Sequence, residues 1–281
     1  MYSLNEVSVL AEQNLINSTF LKRTVVVDFY FPANVNALNS ASLLLINDGQ
    51  DMVKMEFAEI LEKLYGIGMI KPLICICIHC GTERKREYGV AGVPDYKGRG
   101  DKANLYTRFI LEELLPVVQS RFPNSANKPK AFAGFSLGGL AALDIVWHHP
   151  EIFNRVGVFS GSLWWRSMDQ ELPEYNDKEH RIIHKIIREE KPKPGLKFFF
   201  QCGNMDETKD RNNNGIIDSI DDTLDLMYEL KEKGYEPGKD IEYLELSDGR
   251  HDVPTWGKAM PVFLRWGWGM KDEGENVESG R

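Results

Sequence analysis

Ala131-Phe132-Ala133-Gly134-Phe135-Ser136-Leu137-Gly138-Gly139-Leu140 is the stretch from which the rest of the chain is read. The apolar run before Gly134 predicts a buried strand, and Leu140-Ala141-Ala142-Leu143 predicts the opening of a helix. Between them, Gly134 to Gly138 fits G-x-S-x-G, the strand-to-helix turn known as a nucleophile elbow. Backbones that reverse this abruptly leave no room for a Cβ beside the serine. The turn therefore needs glycine on either side and holds Ser136 in a strained conformation at a helix N-terminus, where negative charge is favoured. Such a triplet arises by chance in roughly one chain in ten of this length, so the strand before and the helix after carry the weight.

Moving outward, the same alternation recurs. Residues 20–31 read as a strand near a sheet edge, ending at Pro32 and preceded by a short extended segment around 7–10. Residues 42–46, 73–78, 155–160, 196–201 and 241–246 are further strands. Helical spacing is found at 57–64, 105–122, 175–191 and 223–233. Strands separated by helices imply parallel pairing through right-handed crossovers. The expected architecture is α/β: an α/β-hydrolase fold, a mostly parallel doubly wound sheet flanked by helices. No Pro-, Gly- or Ser-rich linker and no repeat divides the chain, so residues 1–270 are expected to form one domain and 271–281 a disordered tail.

With 281 residues, 42% hydrophobic content and a mean hydropathy of −0.36, the chain is an ordinary globular one. A net charge of −8 argues against nucleic acid or an anionic membrane as partner. No run reaches membrane-spanning length, and Met1 opens no basic-then-apolar leader. The expected location is cytoplasmic, with the periplasm as the alternative for a chain already trimmed of its leader. Cys75 and Cys77 fall two apart on one strand, where they cannot bridge each other, and are expected as free buried thiols. A metal site from Cys75, Cys77, His79 and Cys80 would need ligands from both faces of that strand.

A serine hydroxyl attacks only when a base takes its proton, and the base needs an orienting carboxylate. In this fold the chain order is serine, acid, histidine. Of the six histidines, His251 alone lies on a loop after the last strand. The acid belongs after the preceding strand, where Asp206 is expected and Glu207 is the reserve. Asp248 and Asp252 lie too close in sequence to His251 to orient its ring. Two backbone N–H groups must face the developing oxyanion; Leu137 and Gln50 are the expected donors, with Asp51 next after Gln50. Trp164, Trp165 and Trp256 flank the same strand ends and are candidates for a substrate wall, as well as for ordinary core rim. The charged segment 84–88 reads as a solvated turn or a lid.

Asp210-Arg211-Asn212-Asn213-Asn214-Gly215-Ile216-Ile217-Asp218-Ser219-Ile220-Asp221 places oxygen ligands at loop positions one, three, five, nine and twelve, with glycine at six. This is the spacing of an EF-hand-like calcium loop, with the Ile216 carbonyl at position seven and Asp221 replacing the usual Glu. Asp210, Asn212, Asn214, Ile216, Asp218 and Asp221 would hold a structural calcium. Serine chemistry itself requires no cofactor.

With these residues assembled, the chain resembles the Putative esterase family of α/β-hydrolases. That family includes enterochelin esterases, S-formylglutathione hydrolases, feruloyl and acetylxylan esterases and mycolyltransferases. The likeness runs over residues 20–266. It rests on Leu43-Leu44-Leu45-Ile46-Asn47-Asp48-Gly49-Gln50, Arg84-x-x-Glu87-Tyr88, Glu113-Leu114-Leu115-Pro116, Gly134-Phe135-Ser136-Leu137-Gly138-Gly139, His149-Pro150-Glu151-x-Phe153, Ser160-Gly161-Ser162 and Gly249-Arg250-His251-Asp252-x-x-x-Trp256. The resemblance implies Ser136 as nucleophile, His251 as base and an acid within 203–207. The chain departs from it at Val253, where the family often carries an aromatic residue, and in the calcium-like insert. The expected activity is hydrolysis, through an acyl-enzyme, of a small acyl, feruloyl- or acetyl-sugar, or siderophore-type ester. Acyl transfer to a sugar hydroxyl and non-catalytic carbohydrate binding are the alternatives. A small-molecule or carbohydrate ester is the expected partner, and homo-oligomerisation is left open.

Overall fold

The computed structural model describes residues 8–125, 128 and 130–270. Eight strands form one sheet: β1 (Val9–Ser18), β2 (Arg23–Pro32), β3 (Ser42–Asn47), β4 (Leu73–Ile78), β5 (Lys130–Phe135), β6 (Phe153–Phe159), β7 (Lys197–Met205) and β8 (Ile241–Arg250). Their order is β1-β2-β4-β3-β5-β6-β7-β8. The first two pair antiparallel, β2 joins β4 antiparallel, and every later pairing is parallel. The α/β-hydrolase architecture expected from the sequence is the one found, with an antiparallel hairpin added at one edge.

The inner strands are apolar on both faces because helices cover both. In β3, Leu43 and Leu45 enter one core while Leu44 and Ile46 enter the other. Cys75 and Cys77 share a face of β4 and are free and buried. His79 instead pairs with Asp28 at 2.6 Å. The principal helices are α1 (Phe57–Gly66), α2 (Leu137–His148), α3 (Ile182–Glu189), α4 (Asp218–Glu232) and α5 (Val253–Trp268). Among the described residues, no helix is long and apolar enough to cross a membrane.

Several boundaries differ from the sequence reading, each for a physical reason. Thr19–Lys22 is a turn, with Lys22 at φ +54°, so β2 starts later than residue 20. The helix expected over 175–191 is broken at Arg181, which takes extended backbone while its guanidinium pairs with Asp222 (2.9 Å) and Asp225 (2.7 Å). Helix α4 begins five residues before the expected start at 223. Helix α5 was not anticipated. Its buried positions Val253, Trp256, Ala259, Met260, Phe263, Leu264 and Trp268 keep a helical period that packs against the sheet, and burying each large side chain stabilises by about 1.5–3 kcal/mol. Asp252 caps it by accepting from Thr255 N at 3.0 Å, and Pro254 sits in the first turn, where no backbone donor is missed. The expected disordered tail, 271–281, lies outside the described residues.

Candidate active site

The elbow forms because Gly134 has nowhere to put a side chain: a Cβ there would lie 2.3 Å from the Gly138 carbonyl oxygen. Ser136 takes φ +54° and ψ −120°, a conformation that costs a non-glycine residue about 1–3 kcal/mol. Neighbouring backbone holds it there. Ser136 N donates to Phe159 O at 2.8 Å, and Ser162 N donates to Ser136 O at 3.0 Å. The hydroxyl is half-buried, and its oxygen lies 3.3 Å from Ser162 Oγ. Leu137 opens α2, so its N–H belongs to the first turn, where helix amides lack an intrahelical acceptor.

Two more groups arrive on adjacent parallel strands. Near their ends β7 and β8 approach so closely that a Cβ on Gly203 would fall 2.5 Å from the Gly249 carbonyl carbon. Met205 pairs with Arg250, and Asp206 and His251 are the next residues on their respective strands. Each feels the other's charge. Asp206 Oδ2 accepts from Gly203 N at 3.1 Å, while Oδ1 is buried without a hydrogen-bond partner. Desolvation raises the Asp206 pKa, opposed by the Gly203 N–H, the Ser160 hydroxyl and His251. His251 keeps a solvent-exposed face, yet the protein around it desolvates the ring enough to lower its pKa; Arg84 adds to the lowering and Asp206 opposes it. The imidazole is therefore neutral, and able to accept a proton, at pH 7.

The competing acids are committed elsewhere. Asp252 caps α5, which lowers its pKa, and Asp248 is paired with Lys258 at 2.7 Å. Desolvation and the nearby Asp218 of α4 raise the pKa of Glu207. Other histidines are also engaged: His148 with Asp144 (3.1 Å), and buried His184 with Asp222 O (2.7 Å).

The loop after β3 comes to the elbow through side chains. Asn47 Nδ2 donates to Gly138 O at 2.8 Å. Asp48, buried and at φ +61°, receives two bonds of 2.7 Å from Arg84, whose Nη2 also reaches Phe135 O at 3.3 Å. The Gln50 N–H lies in the first positions of the short 3₁₀ turn Gly49–Asp51, on this same loop, and the Gln50 side chain accepts from Cys80 N at 3.1 Å. The segment expected as a solvated turn or lid is instead fixed: Arg84 is tied to Asp48, buried Glu87 pairs with Arg23 (2.6 Å), and Tyr88 is fully buried. Composition makes Arg84 one charge among several; its buried partner Asp48 shows what holds it beside the elbow.

The three tryptophans separate. Trp165 is fully buried and donates to Val93 O at 3.2 Å. Trp256 is buried behind the site, stacked on Phe135 with centroids 4.9 Å apart and edge-on to His251 at 5.4 Å. Trp164 is half-buried under the Arg99 guanidinium, 4.7 Å away. It lines a cleft of about 360 Å³ with Tyr96, Lys97, Arg99, Glu207 and Lys209. Ser136, Asp206 and His251 are not in the wall of this cleft; Trp164 lies two residues past Ser162, and Glu207 follows Asp206 in the chain.

The Asp/Asn-rich loop folds inward on itself. Asp210 accepts from Asn214 N (3.1 Å) and Gly215 N (2.9 Å), and Gly215 takes φ +86°. Asn212 and Asn214 both donate to Asp221 at 2.9 Å. Asp218 is held instead by Arg211, through its backbone N–H (2.8 Å) and an ion pair at 3.2 Å. The two asparagines thus face Asp221 through their amide N–H groups, with their oxygens turned to the backbone amides of Asn214 and Ile216, and Asp218 is paired with Arg211. Among the described residues, no three His, Cys, Asp or Glu side chains stand together in a metal-holding group.

Comparison with known proteins agrees with this architecture. Over shared segments the chain is 27% identical to the iron(III) enterobactin esterase of Escherichia coli K12, across 52% of this chain and 32% of that protein. It is 36% identical to the siderophore triacetylfusarinine C esterase of Aspergillus fumigatus, across 24% and 23%. The aligned segments span about a quarter of the length of the curated relatives. Among solved structures, the enterobactin esterase of Shigella flexneri superposes with a TM-score of 0.71 at 22% identity, covering 91% of this chain and 58% of that one. The siderophore hydrolase EstB of Aspergillus nidulans superposes with a TM-score of 0.66 at 18% identity, covering 94% and 96%. The family model described as "Putative esterase" matches residues 18–266, and the chain is a member of that family.

Proposed function

We propose that the chain is a serine carboxylic ester hydrolase working through an acyl-enzyme, with Ser136, His251 and Asp206 as its triad. The observation that carries this reading is the strained Ser136 at the end of β5, with Asp206 and His251 delivered side by side at the ends of β7 and β8. His251 takes the Ser136 proton as Oγ attacks the ester carbonyl, and Asp206 stabilises the imidazolium that forms. The Leu137 and Gln50 N–H groups receive the oxyanion. Collapse expels the alcohol, which takes its proton from His251; water then attacks the acyl-enzyme by the same route in reverse.

The cleft lined by Trp164 and by side chains of both charges suits a polar ester bearing a ring or hydroxyl groups, if the bound substrate extends into it. The siderophore and feruloyl esters named for the relatives belong to that class. We propose further that the Asp210–Asp221 loop takes a structural Ca²⁺ through Asp210, Asn212, Asn214, the Ile216 carbonyl, Asp218 and Asp221, with Asp218 giving up Arg211 and the asparagine oxygens turning inward on binding. The deciding experiment is Ser136→Ala on p-nitrophenyl acetate, together with a fluorophosphonate probe. Turnover and stoichiometric labelling should both vanish while the far-UV spectrum is retained. Wild-type turnover by the variant overturns the reading.

A further inference from the structure

We infer that Ser160 and Trp256 form a positioning pair that holds the Asp206 carboxylate and the His251 ring in working relation to Ser136. The inference rests on the serine-esterase reading above. Ser160 follows β6, between the strand that ends at Ser136 and the strand that ends at Asp206. It is buried, and it takes φ +44°, a region that side-chain-bearing residues seldom adopt. Its N–H is bound to Gln201 O on β7 at 2.8 Å. A glycine would fit this backbone without strain, so the hydroxyl needs another reason to be there.

That reason lies in hydrogen-bond polarity. The Trp256 indole N–H can only donate, and it donates to Ser160 Oγ at 3.0 Å. Ser160 is thereby fixed as acceptor toward Trp256, and its single O–H must point elsewhere. Asp206 Oδ1 and Gln201 Oε1 are buried acceptors without a partner, and of the two it is the Asp206 carboxylate that the Ser160 hydroxyl acts on. One lone pair of Oδ1 taken by Ser160 leaves the other for the His251 ring. Trp256 meanwhile stacks on Phe135, the residue before the nucleophile, and meets His251 edge-on. A single indole therefore contacts the nucleophile's support and the base directly, and reaches the acid through one serine. The other charged or titratable groups acting on Asp206 are His251 and Asp252 from the turn after β8 and Cys202 on its own strand; Arg84 acts in turn on His251.

The test uses Ser160→Ala, Ser160→Gly, Trp256→Phe and the double variant Ser160→Ala/Trp256→Phe. Two readouts are taken: the Asp206 carboxyl titration by ¹³C NMR, assigned with Asp206→Asn, and kcat and KM on p-nitrophenyl acetate. Losing a hydrogen bond that favours the charged carboxylate should move the Asp206 midpoint up by about half to one pH unit in both Ser160 variants. It should lower kcat about tenfold with KM unchanged. Ser160→Gly relieves the strained φ, so a purely structural role predicts a more stable protein with full kcat; the positioning role predicts the same loss as in Ser160→Ala. Trp256→Phe should act in the same direction, and the double variant should be no worse than Ser160→Ala, because the two lie on one chain of contacts. An unmoved Asp206 titration in Ser160→Gly, or additive losses in the double variant, overturns the inference. A shifted titration in a protein that hydrolyses no ester would sink the esterase reading and leave the positioning pair standing.

Discussion

Replacing Arg84 by Met tests the join between the loop after β3 and the elbow. The substitution removes two 2.7 Å bonds to Asp48 and the reach to Phe135 O, and leaves a carboxylate of 2% residue exposure with no countercharge. Breaking one partner out of a buried pair costs about 3–5 kcal/mol. Arg84 itself retains 29% side-chain exposure, so water can partly replace it and the low end, about 3 kcal/mol, is expected. Urea unfolding should show that loss as a lower midpoint at unchanged slope. Adding Asp48→Asn removes the stranded charge, tolerates the left-handed backbone, and should recover about half of it. Activity should respond separately. Arg84 lowers the His251 pKa, so without it the imidazole protonates at higher pH, and the acid limb of kcat/KM moves up the pH scale. If Arg84→Met keeps the wild-type urea midpoint and an unmoved acid limb, the proposed link between loop and elbow is wrong.

Gly134→Ala should prevent the elbow from closing, since the new methyl would meet backbone that cannot move aside; a loss of about 1–3 kcal/mol or failure to express folded protein is expected from thermal melts. Asp252→Ala should cost about 1 kcal/mol of stability through the lost α5 cap and leave kcat nearly intact, whereas Asp206→Asn should cut kcat by orders of magnitude; equal kinetic effects would reassign the acid. Calcium should raise the melting temperature and a chelator reverse it, with both responses abolished by Asp210→Ala; melts indifferent to both would remove the metal. A hydrogen bond donated by His148 to Asp144 raises the His148 pKa to about 9. A raised folded-state value gives stability that is complete below the unfolded value near 6.5 and is lost as pH climbs through about 9. His148→Gln should flatten the stability–pH curve over that window.

The parts legible in the sequence are those governed by local rules. Gly134, Ser136 and Gly138 announce a tight strand-to-helix turn because the steric demand falls on neighbouring residues. Asp206 and His251 were reachable because parallel topology fixes which strand ends meet. Helix α5 carries two prolines, which ordinarily interrupt helices, yet Pro254 sits harmlessly in the first turn and the segment keeps its apolar period through Pro261. The break at Arg181 could not be foreseen, since its partners Asp222 and Asp225 lie some forty residues later in the chain. Arg84 and Ser160 fall within motifs that carry the family resemblance, but what each does depends on a partner far away in the chain, Asp48 for one and Trp256 for the other. Alternating residues in β4 put Cys75 and Cys77 on one face, as expected, but nothing local could show that Trp165 lies wholly inside the protein and Trp164 at a cleft.

Every group assigned a chemical task stands on the same rim of the sheet, where the parallel strands end. The opposite rim, where those strands begin, carries turns such as 236–240 ahead of β8, far from the reacting atoms. Recognition and folding are thereby housed in separate parts of the molecule. Loops on that rim can lengthen, shorten or change composition while the strands beneath fold as before.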